Sequence, residues 1–242
     1  MACKIQRVRE WTVRIIHEMR YFKYSVFATL TYNEENLPLN YSLDKKEFQK
    51  FMKRLRKALG EQKVKYFACG EYGEESQRPH YHAIILGLRY DDVTQKLIEE
   101  NWKHGFVKLG TVTKDSIRYT VDYMHKKYNG ELGKKLYESS GRECPFQLVS
   151  QGMGKRHALD SIEQYAENLY MTYNGKKMGL PRYYRKLYGI TSDMLRSQAI
   201  KRASERYEEL MSRGDCYLTE KSKAAHQRER NILANMRERN KI

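Results

Sequence analysis

The chain has 242 residues, of which 40% are hydrophobic, and its 46 Lys and Arg against 30 Asp and Glu give a formal net charge of +16. This length and apolar content are sufficient for one large domain or for one domain with an appendage. The charge indicates a polyanionic partner, with nucleic acid as the first candidate. A membrane surface ranks below it, because no apolar run is long enough to span a bilayer and no lipidation motif is present.

The four cysteines, Cys3, Cys69, Cys144 and Cys216, are far apart in the sequence. Such spacing indicates neither a disulfide framework nor a zinc knuckle. Charged residues interrupt the N-terminal segment, which therefore does not resemble a signal peptide. We expect a reduced, intracellular protein.

Hydrophobic periodicity and composition predict strands and helices that follow one another closely in the first half of the chain. The predicted elements are helix 4–22, strand 26–32, helix 43–59, strand 64–71, strand 78–88, helix 91–102, strand 105–112 and helix 114–128. Ser42 and Thr113 are the predicted N-caps of the second and fourth helices. This order predicts an α+β fold, in which helices cover one face of an antiparallel sheet and the other face can hold a ligand.

The second half of the sequence has weaker signals. The predicted elements are strand 147–150, helix 161–171, helix 191–213 and a highly charged helix or tail over 220–240. We therefore divide the chain into a domain of residues 1–150 and a basic, mainly helical C-terminal region of residues 151–242.

Two histidines flank one bulky residue at the start of the third predicted strand. Because side chains alternate along a strand, His80 and His82 point to the same face and can bind one divalent ion. Alone, such a pair is more often exposed or hydrogen-bonded histidine than a metal site. Glu71 ends the preceding strand of the predicted hairpin, where it is either a third ligand or a solvent-exposed residue.

The helix predicted over 114–128 carries Tyr119 and Tyr123 one turn apart, followed by Lys126 and Lys127. Tyrosines at this spacing are usually core aromatics. A tyrosine hydroxyl can also act as a nucleophile, but its pKa near 10 makes it weak at neutral pH without help. A nearby lysine can supply that help by stabilising the phenolate or the leaving group.

A basic and aromatic segment, residues 176–186, suits single-stranded DNA or equally a peripheral packing role. Its candidate DNA contacts are Arg182, Tyr183 and Tyr184, and we add Arg78, the cation that precedes the histidine pair.

Three motifs occur in the order found in rolling-circle replication initiators, the HUH endonucleases. They are Phe27-Ala28-Thr29-Leu30-Thr31-Tyr32, then Pro79-His80-Tyr81-His82, then Tyr119-x-x-x-Tyr123 with Lys126. Within this superfamily the chain resembles the replication initiation proteins of gokushovirus-type microviruses, through stretches such as Gly70-Glu71-Tyr72-Gly73 and Leu180-Pro181-Arg182-Tyr183-Tyr184. The resemblance covers about residues 3–188.

This resemblance implies an RRM-like or ferredoxin-like core and an enzyme that nicks one DNA strand at an origin. A tyrosine becomes linked to the 5′ phosphate, and a second tyrosine acts when the displaced circle is closed. His80 and His82 hold Mg²⁺ or Mn²⁺ with Glu71 as third ligand, and Lys126, or else Lys127, assists. The implied partners are origin and single-stranded DNA with the host polymerase and helicase, in the cytoplasm of the host bacterium.

Thr29 and Thr31 lie on the first motif strand, which the family uses for structure or for DNA contact. Two alternatives stay open: a non-catalytic module that binds single-stranded nucleic acid, and another HUH enzyme such as a transposase or relaxase. Relaxases place their tyrosine before the histidines, whereas here it follows them, which favours an initiator. The sequence leaves the oligomeric state and the origin sequence open.

Overall fold

A computed structural model describes residues 2–126, 135, 137, 139–173, 175–212 and 227. Of residues 2–4, 123–126 and 210 it describes the backbone alone. The helices are α1 Ala2–Met19, α2 Lys45–Leu59, α3 Asp92–Asn101, α4 Lys114–Lys126, α5 Lys155–Asp160, α6 Ile162–Asn168, α7 Arg182–Leu187 and α8 Ser192–Ser212. The strands are β1 Ser25–Thr31, β2 Lys65–Tyr72, β3 Pro79–Leu86, β4 Val107–Thr111, β5 Phe146–Val149, β6 Tyr170–Tyr173 and β7 Lys176–Gly179.

Five strands form one antiparallel sheet in the order β4-β1-β3-β2-β5. The central strand β3 is apolar from Ala83 to Leu86, and these residues are completely buried. Its neighbours β1 and β2 pair with it over their full lengths. The predicted α+β class with an antiparallel sheet is confirmed.

Helices α2 and α3 cover the first face of this sheet. The stripe Phe48, Phe51, Met52 and Leu55 of α2 is buried in the same cluster as Ile98 of α3. The N-cap of α2 is Asp44, whose carboxylate accepts from the backbone N–H groups of Lys46 and Glu47, and not the predicted Ser42. The Ser42 hydroxyl instead donates to the Leu43 carbonyl. Thr113 caps α4 as predicted, accepting from the Ser116 N–H.

Helices also pack on the second face, which the sequence predicted to be free for a ligand. Ile15 of α1 and Ile117 and Val121 of α4 are buried against Phe67 of β2 and Ile84 of β3. The reason is that β2 and β3 are apolar on both faces over this half of their length, as their burial shows. The histidine end of the sheet lies beyond this apolar half.

The segment predicted as one helix over 161–171 contains α6 and the start of β6. Leu169 adopts a left-handed conformation, φ 52°, which ends α6. Tyr170 and Tyr173 then lie in a two-stranded hairpin, β6–β7, where aromatic residues are favoured.

The chain divides into two compact units, Met1–Leu187 and Tyr188–Ile242. The second unit contains α8, and the predicted charged segment 220–240 lies outside the described residues apart from residue 227. The division of domains at residue 150 stays a prediction. Among the described helices, none combines the length and the apolar character that crossing a bilayer requires.

Candidate active site

Three predicted site residues meet at one end of the sheet. Glu71 and His80 are direct partners across β2 and β3, and His82 lies two residues further along β3. The Glu71 Oε1 atom is 2.7 Å from His80 Nε2 and 3.0 Å from His82 Nε2. One potential ligand atom from each residue lies within 4.8 Å of the other two. The strand register thus brings together a carboxylate and two imidazoles.

The carboxylate of this cluster is buried, since Glu71 is only 1% exposed. Its second oxygen, Oε2, is also buried and accepts no hydrogen bond from any described residue. A buried carboxylate with an unpartnered oxygen is costly unless a positive charge lies close by. The cluster therefore has the electrostatic character of a cation site.

Hydrogen bonding defines how His80 faces the carboxylate. Its Nδ1 atom lies 3.1 Å from the Arg78 carbonyl oxygen, which can only accept, so Nδ1 carries a proton. In the neutral ring Nε2 then presents a lone pair to Glu71 Oε1, another acceptor. These two atoms repel each other unless a proton or a metal cation lies between them. A metal-binding histidine commonly donates its other N–H to a backbone carbonyl in this way.

His82 has an equivalent partner on β1, because its Nδ1 atom lies 3.0 Å from the Thr29 hydroxyl oxygen. Two ligand atoms at 2.1 Å from an octahedral ion, in neighbouring positions, are about 3.0 Å apart. The nitrogen–oxygen distances of the cluster, 2.7 and 3.0 Å, approach this spacing. The residues present therefore fit a divalent cation, with each imidazole oriented by an acceptor on its far side.

Tyr119 lies on α4 beside this cluster. Its ring centroid is 5.4 Å from that of His82, with the rings nearly perpendicular, and the side chain is 43% exposed. Burial, and next the negative charge of Glu71, raise the pKa of Tyr119 above its usual value of 10. The hydroxyl is thus a weak nucleophile unless positive charge offsets Glu71.

The other predicted residues of this helix are less completely described. Tyr123 and Lys126 lie in α4, of which the structure describes only the backbone at these positions. Four residues separate Tyr119 from Tyr123, so their Cβ atoms share one side of the helix. Lys127 lies outside the described residues. The catalytic roles of these four residues stay predictions.

The two threonines of β1 occupy different environments. Thr29 is the Cα partner of His82, and its hydroxyl is the group that meets His82 Nδ1. Thr31 is the partner of His80, but its hydroxyl lies 3.4 Å from the Phe106 carbonyl, at the limit of a hydrogen bond. Of these two threonines, Thr29 is therefore the one positioned to orient a histidine of the cluster.

Arg78 is held within the protein. Its guanidinium donates to the Glu34 carboxylate at 2.6 Å and to the Tyr32 carbonyl at 3.1 Å. Its own carbonyl accepts from His80. These contacts connect the loop after β1 to the first histidine, a structural role that accompanies the predicted DNA contact.

The predicted DNA contacts on α7 divide into exposed and buried residues. Arg182 is exposed, and the ring of Tyr183 lies under the Arg14 guanidinium, 4.1 Å from its centroid. Tyr184 is 0% exposed, and its hydroxyl is 2.9 Å from His17 Nδ1. The prediction of a DNA contact was wrong for Tyr184, because no ring surface remains for a base.

Phe27 belongs to the site, although sequence reasoning did not select it. Its ring stacks on that of His82, with centroids 5.4 Å apart and planes 15° apart. The alternation of side chains along β1 was the available signal, since Phe27 and Thr29 share a face. This packing restricts the rotation of the His82 imidazole.

The fold and the site define an α+β protein with a two-histidine, one-carboxylate cluster at the end of an antiparallel sheet, next to a helix tyrosine. The family model of the replication-associated protein ORF2 matches residues 25–128 of the chain. This range begins with β1 and includes the histidine cluster and the described part of α4.

Three curated relatives are replication-associated proteins of phages. The chain is 29% identical to VP4 of Bdellovibrio phage phiMH2K, over 78% of this chain and 65% of that protein. It is 32% identical to ORF2 of Spiroplasma virus 4, over 76% of this chain and 64% of that protein. For ORF4 of Chlamydia phage 1 the identity is 26%, over 76% and 51%.

The chain belongs to the replication-associated proteins of gokushovirus-type phages. It spans between about half and two thirds of the length of these curated relatives. Among solved structures, hypothetical protein ORF119 of Sulfolobus islandicus rod-shaped virus 1 gives a TM-score of 0.34 at 19% identity, over 49% of this chain and 97% of that chain, and we draw no conclusion from it.

Proposed function

We propose that this chain initiates rolling-circle replication of phage DNA by nicking one strand at the origin through a covalent tyrosine ester. The observation that carries the proposal is the position of Tyr119 beside the cluster of Glu71, His80 and His82. A helix tyrosine near a cation site has the two groups that phosphodiester transfer requires, a nucleophile and a place where charge on the phosphate is stabilised. The net charge of +16 favours DNA as the substrate.

In the nicking step the Tyr119 hydroxyl oxygen attacks the phosphorus of the scissile phosphodiester. The new bond joins the tyrosine oxygen to the phosphorus, and the bond from phosphorus to the 3′ oxygen breaks. The phenol proton passes to a base, and the departing 3′ oxygen takes up a proton. The products are a 5′-phosphotyrosine ester and a free 3′ hydroxyl, which is a primer for the host polymerase. Unwinding falls to a host helicase, and the reaction takes place in the cytoplasm of the host bacterium.

The cluster residues hold and orient. Glu71, His80 and His82 are the ligands, while Thr29 and the Arg78 carbonyl orient the two imidazoles. Bound here, Mg²⁺ or Mn²⁺ supplies Lewis-acid stabilisation of charge on the phosphate oxygens. By occupying the cluster, positive charge also counters the raised pKa of Tyr119, because part of that increase comes from Glu71.

Tyr123 is the second nucleophile in this proposal. One tyrosine retains the 5′ end while the other attacks the regenerated origin, and the 3′ hydroxyl then displaces a tyrosine and closes the circle. Lys126, or else Lys127, stabilises the phenolate or the leaving oxygen. The order in which the tyrosines act is determined by experiment.

Covalent capture tests the proposal. The full chain is incubated with labelled single-stranded oligonucleotides tiled across the phage origin, with Mn²⁺ or with chelator, and adducts are resolved on denaturing gels. We expect a metal-dependent adduct that the double variant Tyr119→Phe/Tyr123→Phe abolishes and His80→Ala strongly reduces. Peptide mapping of the adduct identifies the tyrosine used.

The matched control is Tyr90→Phe, which removes the hydroxyl of an exposed tyrosine in the segment before α3. This variant should form the adduct at the wild-type rate. An adduct that persists in the double tyrosine variant, or forms equally well in chelator, refutes the proposed mechanism. Binding without an adduct on any oligonucleotide favours the non-catalytic module.

A further inference from the structure

A groove of about 800 Å³ runs beside α4, separate from the histidine cluster. Helix α1, the start of α4 and the β6–β7 hairpin form its walls. The charged residues that line it are Arg9, Lys114, Asp115, Arg118, Asp122, Lys176 and Lys177. All of them belong to the first compact unit.

Positive charge predominates in the groove, since five of these lining residues are cationic and two are anionic. Arg9, Arg118, Lys176 and Lys177 are exposed. None of these four forms an ion pair with a carboxylate in the part of the chain that the structure describes. Cations gathered without anionic partners repel one another, and a polyanion relieves that repulsion.

The hairpin adds an aromatic residue to this basic groove. Tyr173 and Lys176 are direct partners across β6 and β7, so their side chains lie on one face of the hairpin, and both line the groove. Met178, two residues along β7, lines it as well. A tyrosine between cations is the combination that binds single strands, since bases stack on the ring while the phosphates meet the cations.

Helix α4 connects the groove to the proposed nucleophile. Successive residues of a helix are 100° apart, so Arg118 and Asp122, which line the groove, lie on the side of α4 adjacent to that of Tyr119. Tyr119 itself meets His82. A strand lying in the groove would therefore approach the cluster around the surface of one helix.

We propose that this groove binds single-stranded DNA that flanks the nick site and directs it toward Tyr119. The inference rests on the proposed nicking function for its biological purpose, and it adds a strand-binding site separate from the cation cluster. The groove binds phosphates without base hydrogen bonds, so it contributes affinity and strand path rather than sequence recognition.

The test measures non-covalent binding by fluorescence anisotropy. Full-length protein carrying Tyr119→Phe is used in chelator, so that no chemistry occurs, with oligodeoxythymidines of about 8 and about 24 nucleotides. Removing two phosphate contacts with Lys176→Ala/Lys177→Ala should weaken binding of the longer strand about tenfold and lower its salt slope by about 1.4. Binding of the shorter strand should change by less than about twofold.

The matched control is Lys53→Ala/Lys57→Ala, which removes the same charge from exposed positions of α2, on the other face of the sheet. It should leave the length dependence unchanged, and Arg9→Ala should weaken the longer strand in the same direction as the hairpin variant. Equal losses in the two double lysine variants, or a loss that is the same for both strand lengths, would overturn the groove as a strand site.

Failure of the two proposals is distinguishable. If no adduct forms with wild-type protein, the nicking function fails, yet the binding data still decide whether the groove holds a strand. If the hairpin variant binds the longer strand normally while wild type forms adducts, the groove is excluded and the nicking function stands. Thermal melting of each variant confirms that it is folded.

Discussion

Replacing Thr29 by valine tests how the cation site is oriented. Valine has nearly the same shape and the same β-branched strand preference, so the change removes little more than the hydroxyl. That hydroxyl lies 3.0 Å from His82 Nδ1, in a ring that is 7% exposed. For His82 to bind a cation through Nε2, Nδ1 must keep its proton and donate it to Thr29.

The size of the effect follows from the two tautomers of His82. Without metal, Thr29→Val lets the proton move to Nε2, which then donates to Glu71 Oε1 at 3.0 Å, so folding stability changes little. With metal, Nε2 must present its lone pair, and a buried Nδ1–H is left without an acceptor, at a cost of about 1–3 kcal/mol. We therefore expect cation affinity to fall by about 10- to 100-fold.

Isothermal titration of the purified protein with Mn²⁺ measures this affinity directly. Thr31→Val is the matched control, because Thr31 faces the same side of β1 but its hydroxyl lies 3.4 Å from a carbonyl and does not meet a histidine. Adduct formation in Thr29→Val should recover at high Mn²⁺. Equal affinities for the two valine variants would refute the orientation of His82 by Thr29.

Three further predictions concern protonation and packing. Because burial and Glu71 raise the pKa of Tyr119, single-turnover nicking at saturating cation should increase about tenfold per pH unit from about pH 6 to 8, and a flat profile contradicts phenolate attack. Burial lowers the pKa of His17 from 6.5 to about 3, so the unfolded chain binds more protons in this range. Stability is therefore full above pH 6.5 and falls by about 1.4 kcal/mol per pH unit toward pH 3; urea unfolding of His17→Gln should show a shallower loss, and an unchanged slope contradicts it. Tyr81→Phe should cost about 2–3 kcal/mol by urea unfolding, because the buried hydroxyl contacts Asp44 O, Asp44 N and the Tyr32 hydroxyl at 2.9, 3.1 and 2.8 Å. Nicking per folded molecule should persist, and a loss under about 0.5 kcal/mol would contradict this role.

Elements with strong periodicity were predicted well. The stripe of Phe48, Phe51, Met52 and Leu55 predicted α2, and the apolar run after His82 predicted β3. Predictions were weaker where local signals compete, as in the segment that contains α6 and β6, which the sequence predicts as one helix. There the left-handed Leu169 and the pairing of the hairpin override helical spacing.

The burial of individual aromatics could not be predicted from the sequence. Tyr184 stands between basic residues, a pattern that suits DNA contact, yet it is completely buried with its hydroxyl on His17. His17 is 167 positions away in the chain, and its partner ring is selected by the docking of α7 against α1. Composition describes what a segment can contact, whereas packing decides which side of it faces the core.

Local geometry is what the sequence determined by itself. The period of two along a strand places His80 and His82 on one face, and the turn after Glu71 brings that carboxylate back beside them. The tertiary structure alone decided that Thr29 and the Arg78 carbonyl orient the imidazoles, that Tyr119 meets His82, and that α1 and α4 cover half of the second face. These contacts depend on strand register and helix docking, which are set by burying apolar surface across the whole sheet and not by neighbouring residues.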